Sequence, residues 1–203
     1  MGKLYINKHI RLTNNSIYVN SEQVFCVGIG DGFSEFAKSA YKKYDIKYNK
    51  FYKMDALSKH GFLTSEILLM DIDKENILPE EIAIVCANSS SSLHTDVLFQ
   101  KTIPEIPSPA VFVYTLPNIV IGEICIRNNI KGESLFLIHE SFDVHFIYHY
   151  LESLFKNNNT KLCITGWLEM SMNEEYRSDL FLISENISDL EFSETNLNLI
   201  YKS

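Results

Sequence analysis

Apolar residues in this chain come in short dense runs, separated by polar or glycine-bearing stretches, and the rhythm alternates between strand and helix periods. Tyr5 to Ile10 and Ser16 to Val19 read as short strands around the polar turn at 13–16. Glu35 to Tyr44 reads as a helix of mixed polarity. Lys53 to Met70 carries Leu57, Phe62, Ile67 and Leu68 at helical spacing, with Gly61 and Ser65 on a face suited to packing on a sheet. Asp55 or a neighbour can cap its first turn. Asp71 to Pro79 is a linker, and Glu81 to Ala87 is an unbroken apolar run of the buried parallel-strand type.

The second half repeats the alternation. Leu93 to Thr102 continues as a helix or extended arm, and Pro104, Pro107 and Pro109 hold off regular structure until Val111 to Tyr114. Pro117 to Arg127 reads as a helix with proline in its first turn, stopped at Gly132. Leu135 to Ile138 is a strand and Phe142 to Phe155 a helix. Lys161 to Thr165 is a strand closed by Gly166, Asp179 to Ile183 another, and Leu197 to Tyr201 a terminal strand. Alternation of this kind predicts an α/β fold with right-handed crossovers and a parallel or mixed sheet covered by helices. With 203 residues and no internal repeat, residues 1–203 form a single domain.

Composition narrows the function classes. No run of about 18 apolar residues predicts a membrane span, and the N-terminus lacks the apolar core of a secretion signal, so the expected compartment is the cytoplasm. Ile6 also excludes a myristoylation signal after Gly2. A net charge of −8 argues against nucleic acid as partner. Lys38, Lys42, Lys43, Lys47, Lys50, Lys53 and Lys59 form a local basic exception that suits an acidic carrier protein; a solvated helix face and loop is the commoner meaning of such a run. Cys26, Cys86, Cys125 and Cys163 each sit in an apolar run without zinc or disulfide spacing, which makes them expected core residues.

Candidate chemistry gathers in the second half. Gly132 to Ser141 combines a glycine turn, a strand and a polar cluster opening a helix, where a nucleophile would be displayed. Ser141 is the candidate nucleophile and His139 its candidate base; the competing role for Ser141 is a helix cap. His145 and His149 are spaced i, i+4 and can share a metal, but no third ligand or motif accompanies them, so no metal site is assigned. Asn88 to Ser92 can offer backbone amides to an anion at a strand's end. The Gly28–Gly32 stretch lacks the full dinucleotide pattern and reads as a turn. Phe99, Phe112 and Tyr114 read as core or interface residues, and no cofactor is expected.

The segments Phe51–Lys59 (with Lys-Met-Asp at 53–55), Ser108–Asn118 and Gly122–Gly132, in that order, resemble the N-terminal half of β-ketoacyl-acyl-carrier-protein synthases. The resemblance covers roughly residues 20 to 185 and implies an α/β, thiolase-like half: a mixed, roughly five-stranded sheet with helices on its faces. It places Ser141 where that family carries its nucleophilic cysteine, and the small residues usual around that cysteine are missing. The family's two catalytic histidines belong to a second half, in segments this sequence does not contain. The resemblance therefore implies a non-condensing ketosynthase-like accessory protein of fatty-acid or polyketide (aryl-polyene-type) biosynthesis. Its expected partners are a second copy or a full-length ketosynthase, and an acyl carrier protein. Leu135 to Ile138 would be the strand that pairs across the dimer axis, with the proline-rich arm near the same surface. The alternative is an acyltransferase or thioesterase using Ser141.

Overall fold

The computed structural model describes residues 2–28, 32–73, 75–157 and 159–203. Most of the Gly28–Gly32 stretch lies outside the described residues. The sheet has seven strands rather than five, in the order β3-β2-β1-β7-β6-β4-β5. They are β1 (Tyr5–Thr13), β2 (Ser16–Val19), β3 (Glu22–Cys26), β4 (Ile82–Asn88), β5 (Ser134–Ile138), β6 (Leu162–Met170) and β7 (Tyr176–Ser184). β4 runs parallel to β5 and β6, and the other pairings are antiparallel. β3 was missed because its residues are mostly exposed, so it has no buried face for a period to reveal.

Helices cover both faces. The larger core lies under α1 (Phe33–Lys43), α2 (Ala56–Leu69) and α5 (Ile119–Asn128), and includes Phe36, Phe62 and Ile124. The second lies under α6 (Val144–Asn157) and α7 (Glu194–Lys202), and includes Ile147, Leu151 and Leu197. β4, β6 and β7 feed both, which explains their almost continuous burial and apolar sequence. Asp55 caps α2 as expected, accepting from the Ser58 amide at 2.9 Å, and its second oxygen takes the Thr95 hydroxyl at 2.5 Å. After β4, α3 (Leu93–Gln100), α4 (Pro109–Phe112) and the 3-10 turn Val113–Thr115 form an arm, so Val111 to Tyr114 is helical.

Three further expectations change. Gly166 does not end a strand: β6 runs on through it to Met170, and at φ 151° a side chain there would collide with the Asp179 carbonyl of β7. Gly132 is not the stop of α5, whose left-handed cap is Asn129; a Cβ at 132 would lie 2.5 Å from the Ile82 carbonyl, so glycine permits close passage beside β4. The terminal segment is a helix, capped by Ser193 on the Asn196 amide, with Leu197 buried. Arg11 donates from Nη2 to the carbonyls of Ile200 (2.7 Å) and Tyr201 (3.0 Å), and Arg177 donates to Tyr201 as well. These guanidiniums satisfy carbonyls that the end of α7 leaves open.

Candidate functional site

The parallel strands β4, β5 and β6 end on one side of the sheet, and the loop that leaves β5 builds one wall of the candidate site. Asn88 at the end of β4 faces Ile138 at the end of β5, and the His139 amide donates to the Asn88 carbonyl at 2.9 Å. From there 139–143 crosses to α6. An open cleft of about 850 Å³ lies over this crossing, lined on one side by His139 to His145 and on the other by Glu194, Thr195, Asn198, Tyr201 and Lys202. The phenyl ring of Phe142 turns inward, 4.8 Å from that of Tyr201 and 6.2 Å from that of Phe181, which leaves its neighbours Ser141 and Asp143 exposed.

The cap of α6 is Asp143 and not Ser141: Asp143 Oδ1 accepts from the Phe146 amide at 2.9 Å, and the helix begins at Val144. Ser141 is thus exposed on the cleft without a capping duty. His139 is turned toward Asp143 and Phe146. Its Nδ1 is 4.0 Å from Asp143 Oδ2, its ring lies 5.5 Å from that of Phe146, and among the described residues no hydrogen bond joins it to Ser141. A hydroxyl becomes a nucleophile at neutral pH only with a base in hydrogen-bond reach.

The serine loop does hold an anion, and the anion is the protein's own. Glu169, near the end of β6, accepts from the Ser89 amide (2.8 Å), the Ser89 hydroxyl (2.7 Å) and the Ser90 amide (3.2 Å). Asn88 closes the turn by accepting from the Ser91 amide and donating to its carbonyl, with Ser91 left-handed at φ 53°. The amides offered by Asn88–Ser92 are therefore spent on fixing the loop to the neighbouring strand.

Burial works against thiolate formation at three of the four cysteines. Burial pushes the Cys86 and Cys163 thiols far up and that of Cys125 up to about 11, so all three are protonated at neutral pH. Cys26 corrects the core expectation, because it lies exposed on β3. Among the basic run, Lys50 is used internally, pairing at 2.8 Å with buried Glu123, which also accepts from the Tyr114 hydroxyl at 3.1 Å. Phe99 and Phe112 meet at 5.2 Å on the arm, where Ile106, Phe112, Val113 and Leu116 stand exposed.

Sequence reasoning missed one cluster altogether. Asp179, fully buried on β7, accepts from His9 (2.9 Å), Arg11 (2.7 Å) and Arg177 (2.7 Å). The register that puts Arg11 opposite Asp179 was its only available signal, and that needs the β1–β7 pairing.

No family model matches the sequence, and no curated protein matches it. Solved structures do. The chain is similar to one in the ketosynthase ApeO in complex with its chain length factor ApeC from Xenorhabdus doucetiae (12% identity, TM-score 0.60, covering 90% of this chain and 79% of that one). It is similar to a chain of the ishigamide ketosynthase/chain length factor (15%, TM-score 0.65, 93% and 64%). A third is AntDE:AntF, a type II acyl-carrier protein in complex with its ketosynthase bound to the hexaketide (11%, TM-score 0.59, 92% and 63%). At these identities the likeness is one of fold: the chain has the thiolase-like α/β fold of ketosynthase and chain length factor proteins. It spans less than two thirds of the latter two chains.

Proposed function

We propose that this protein is a ketosynthase-like accessory subunit that does not condense acyl groups itself. It works in fatty-acid or polyketide (aryl-polyene-type) biosynthesis, beside a full-length ketosynthase or an acyl carrier protein. The observation that carries the reading is the end of β5. The chain shares its fold with ketosynthase and chain length factor proteins, yet the residue exposed on the cleft after β5 is Ser141, and the buried thiols are protonated. Decarboxylative condensation needs a nucleophile and donors for an enolate-like oxyanion, and among the described residues no hydrogen bond joins Ser141 to a base. A contact role draws further support from β5 as an edge strand with Ile138 49% exposed, and from the apolar side chains of the arm.

The second reading, an acyltransferase or thioesterase, rests on the exposure of Ser141 beside an open cleft. Incubation with an acyl-acyl-carrier-protein thioester separates the two by intact mass. The accessory reading predicts an unchanged mass. An acyl adduct on the wild-type chain that disappears in Ser141→Ala would establish the enzyme instead.

A further inference from the structure

We propose that His145, His149 and Glu194 form a binding site for a divalent transition metal of the zinc class, clamping the first turn of α7 to α6. The site is independent of the accessory role argued above. The i, i+4 spacing puts both imidazoles on one face of α6, with ring centroids 4.5 Å apart, and the docking of α7 brings Glu194 between them. Glu194 Oε1 is 3.0 Å from His145 Nδ1 and 3.5 Å from His149 Nε2. Metal–ligand bonds of about 2.0–2.2 Å in a tetrahedral arrangement set neighbouring ligand atoms roughly 3.3 Å apart. Both measured edges bracket that spacing. All three ligand atoms lie within 4.8 Å of one another, so the remaining edge is closed by small rotations of two exposed imidazoles.

A second observation points the same way. The other nitrogen of His149, Nδ1, faces Glu152 Oε2 at 3.6 Å, and Glu152 is held in turn by the Tyr148 hydroxyl at 3.0 Å. A carboxylate behind a ligating histidine fixes its tautomer and raises its basicity, an arrangement typical of metal sites. Nitrogen and carboxylate donors together suit zinc and its transition-metal neighbours better than calcium or magnesium. Three protein ligands leave a fourth position for water or a small anion, and both His145 and Glu194 also line the cleft that holds Ser141.

The test uses the untagged full chain stripped of metal with a chelator and titrated with Co²⁺, then with Zn²⁺ in competition. One equivalent of Co²⁺ should bind with the strong visible absorption of tetrahedral coordination, and Zn²⁺ should displace it. His149→Gln and Glu194→Gln should each abolish the absorption while keeping the melting temperature of the metal-free wild type. Glu152→Gln should weaken binding about 10- to 100-fold without removing a ligand. Absence of a stoichiometric cobalt spectrum in the wild type overturns the proposal. So does a spectrum that persists in Glu194→Gln or His149→Gln, since the metal then sits elsewhere.

Discussion

His60 and His9 are held neutral inside the sheet layers, and this ties stability to acidity through single residues. His60 lies fully buried on α2 with its ring against those of Phe33 (5.9 Å) and Tyr176 (5.1 Å). Burial pushes its imidazole down to about 3, against the opposing pull of the Leu12 backbone and of Asp179. In the unfolded chain the same group titrates near ~6.5. The unfolded state thus takes up the proton first as pH falls. The contribution is complete above ~6.5 and is lost on acidification toward pH 3, at up to about 1.4 kcal/mol per pH unit. Urea unfolding at pH 7 and pH 5 should show a loss of about 2 kcal/mol from this residue, and His60→Leu should remove that part of the slope. An unchanged slope in the variant contradicts the assignment. His9 shifts in the same direction, chiefly through burial, and remains in the variant as a smaller background.

Among the elements, the legible ones had both a buried face and a local signal. α2 was readable from Leu57, Phe62 and Ile67 together with the Asp55 cap, and β4 from its unbroken apolar run. The misread elements owe their form to distant partners. Leu197, Ile200 and Tyr201 suit a short strand by composition, but Ser193 starts a helix there, and Arg11 and Arg177 finish it from across the sheet. Ser141 likewise passed for a cap because nothing local distinguishes it from Asp143 two residues on. The third donor of the His145–His149 pair stands 49 positions from His145, beyond the reach of spacing rules. Leu197 is the only α7 residue fully enclosed in the second core. Leu197→Ala should therefore cost about 2–4 kcal/mol in denaturant unfolding. A cost under about 0.5 kcal/mol would show that α7 adds nothing to that core.

The whole molecule has a well-filled interior and an exposed rim with unfinished apolar surface. Two cores back the sheet on both faces. Yet among the described residues β5 ends the sheet with an unpaired edge, and Ile106 and Phe112 on the arm are 83% and 58% exposed. Among the described residues no helix is long and apolar enough to cross a membrane. Exposed edges and apolar patches mark contact surfaces, and the proposed accessory role would use them. Native mass spectrometry of the chain co-expressed with a full-length ketosynthase of its own organism tests that role most directly. The account predicts a complex of one copy of each, weakened when Ile138→Glu places a charge on the β5 edge. A chain that stays free of the ketosynthase under these conditions would contradict it.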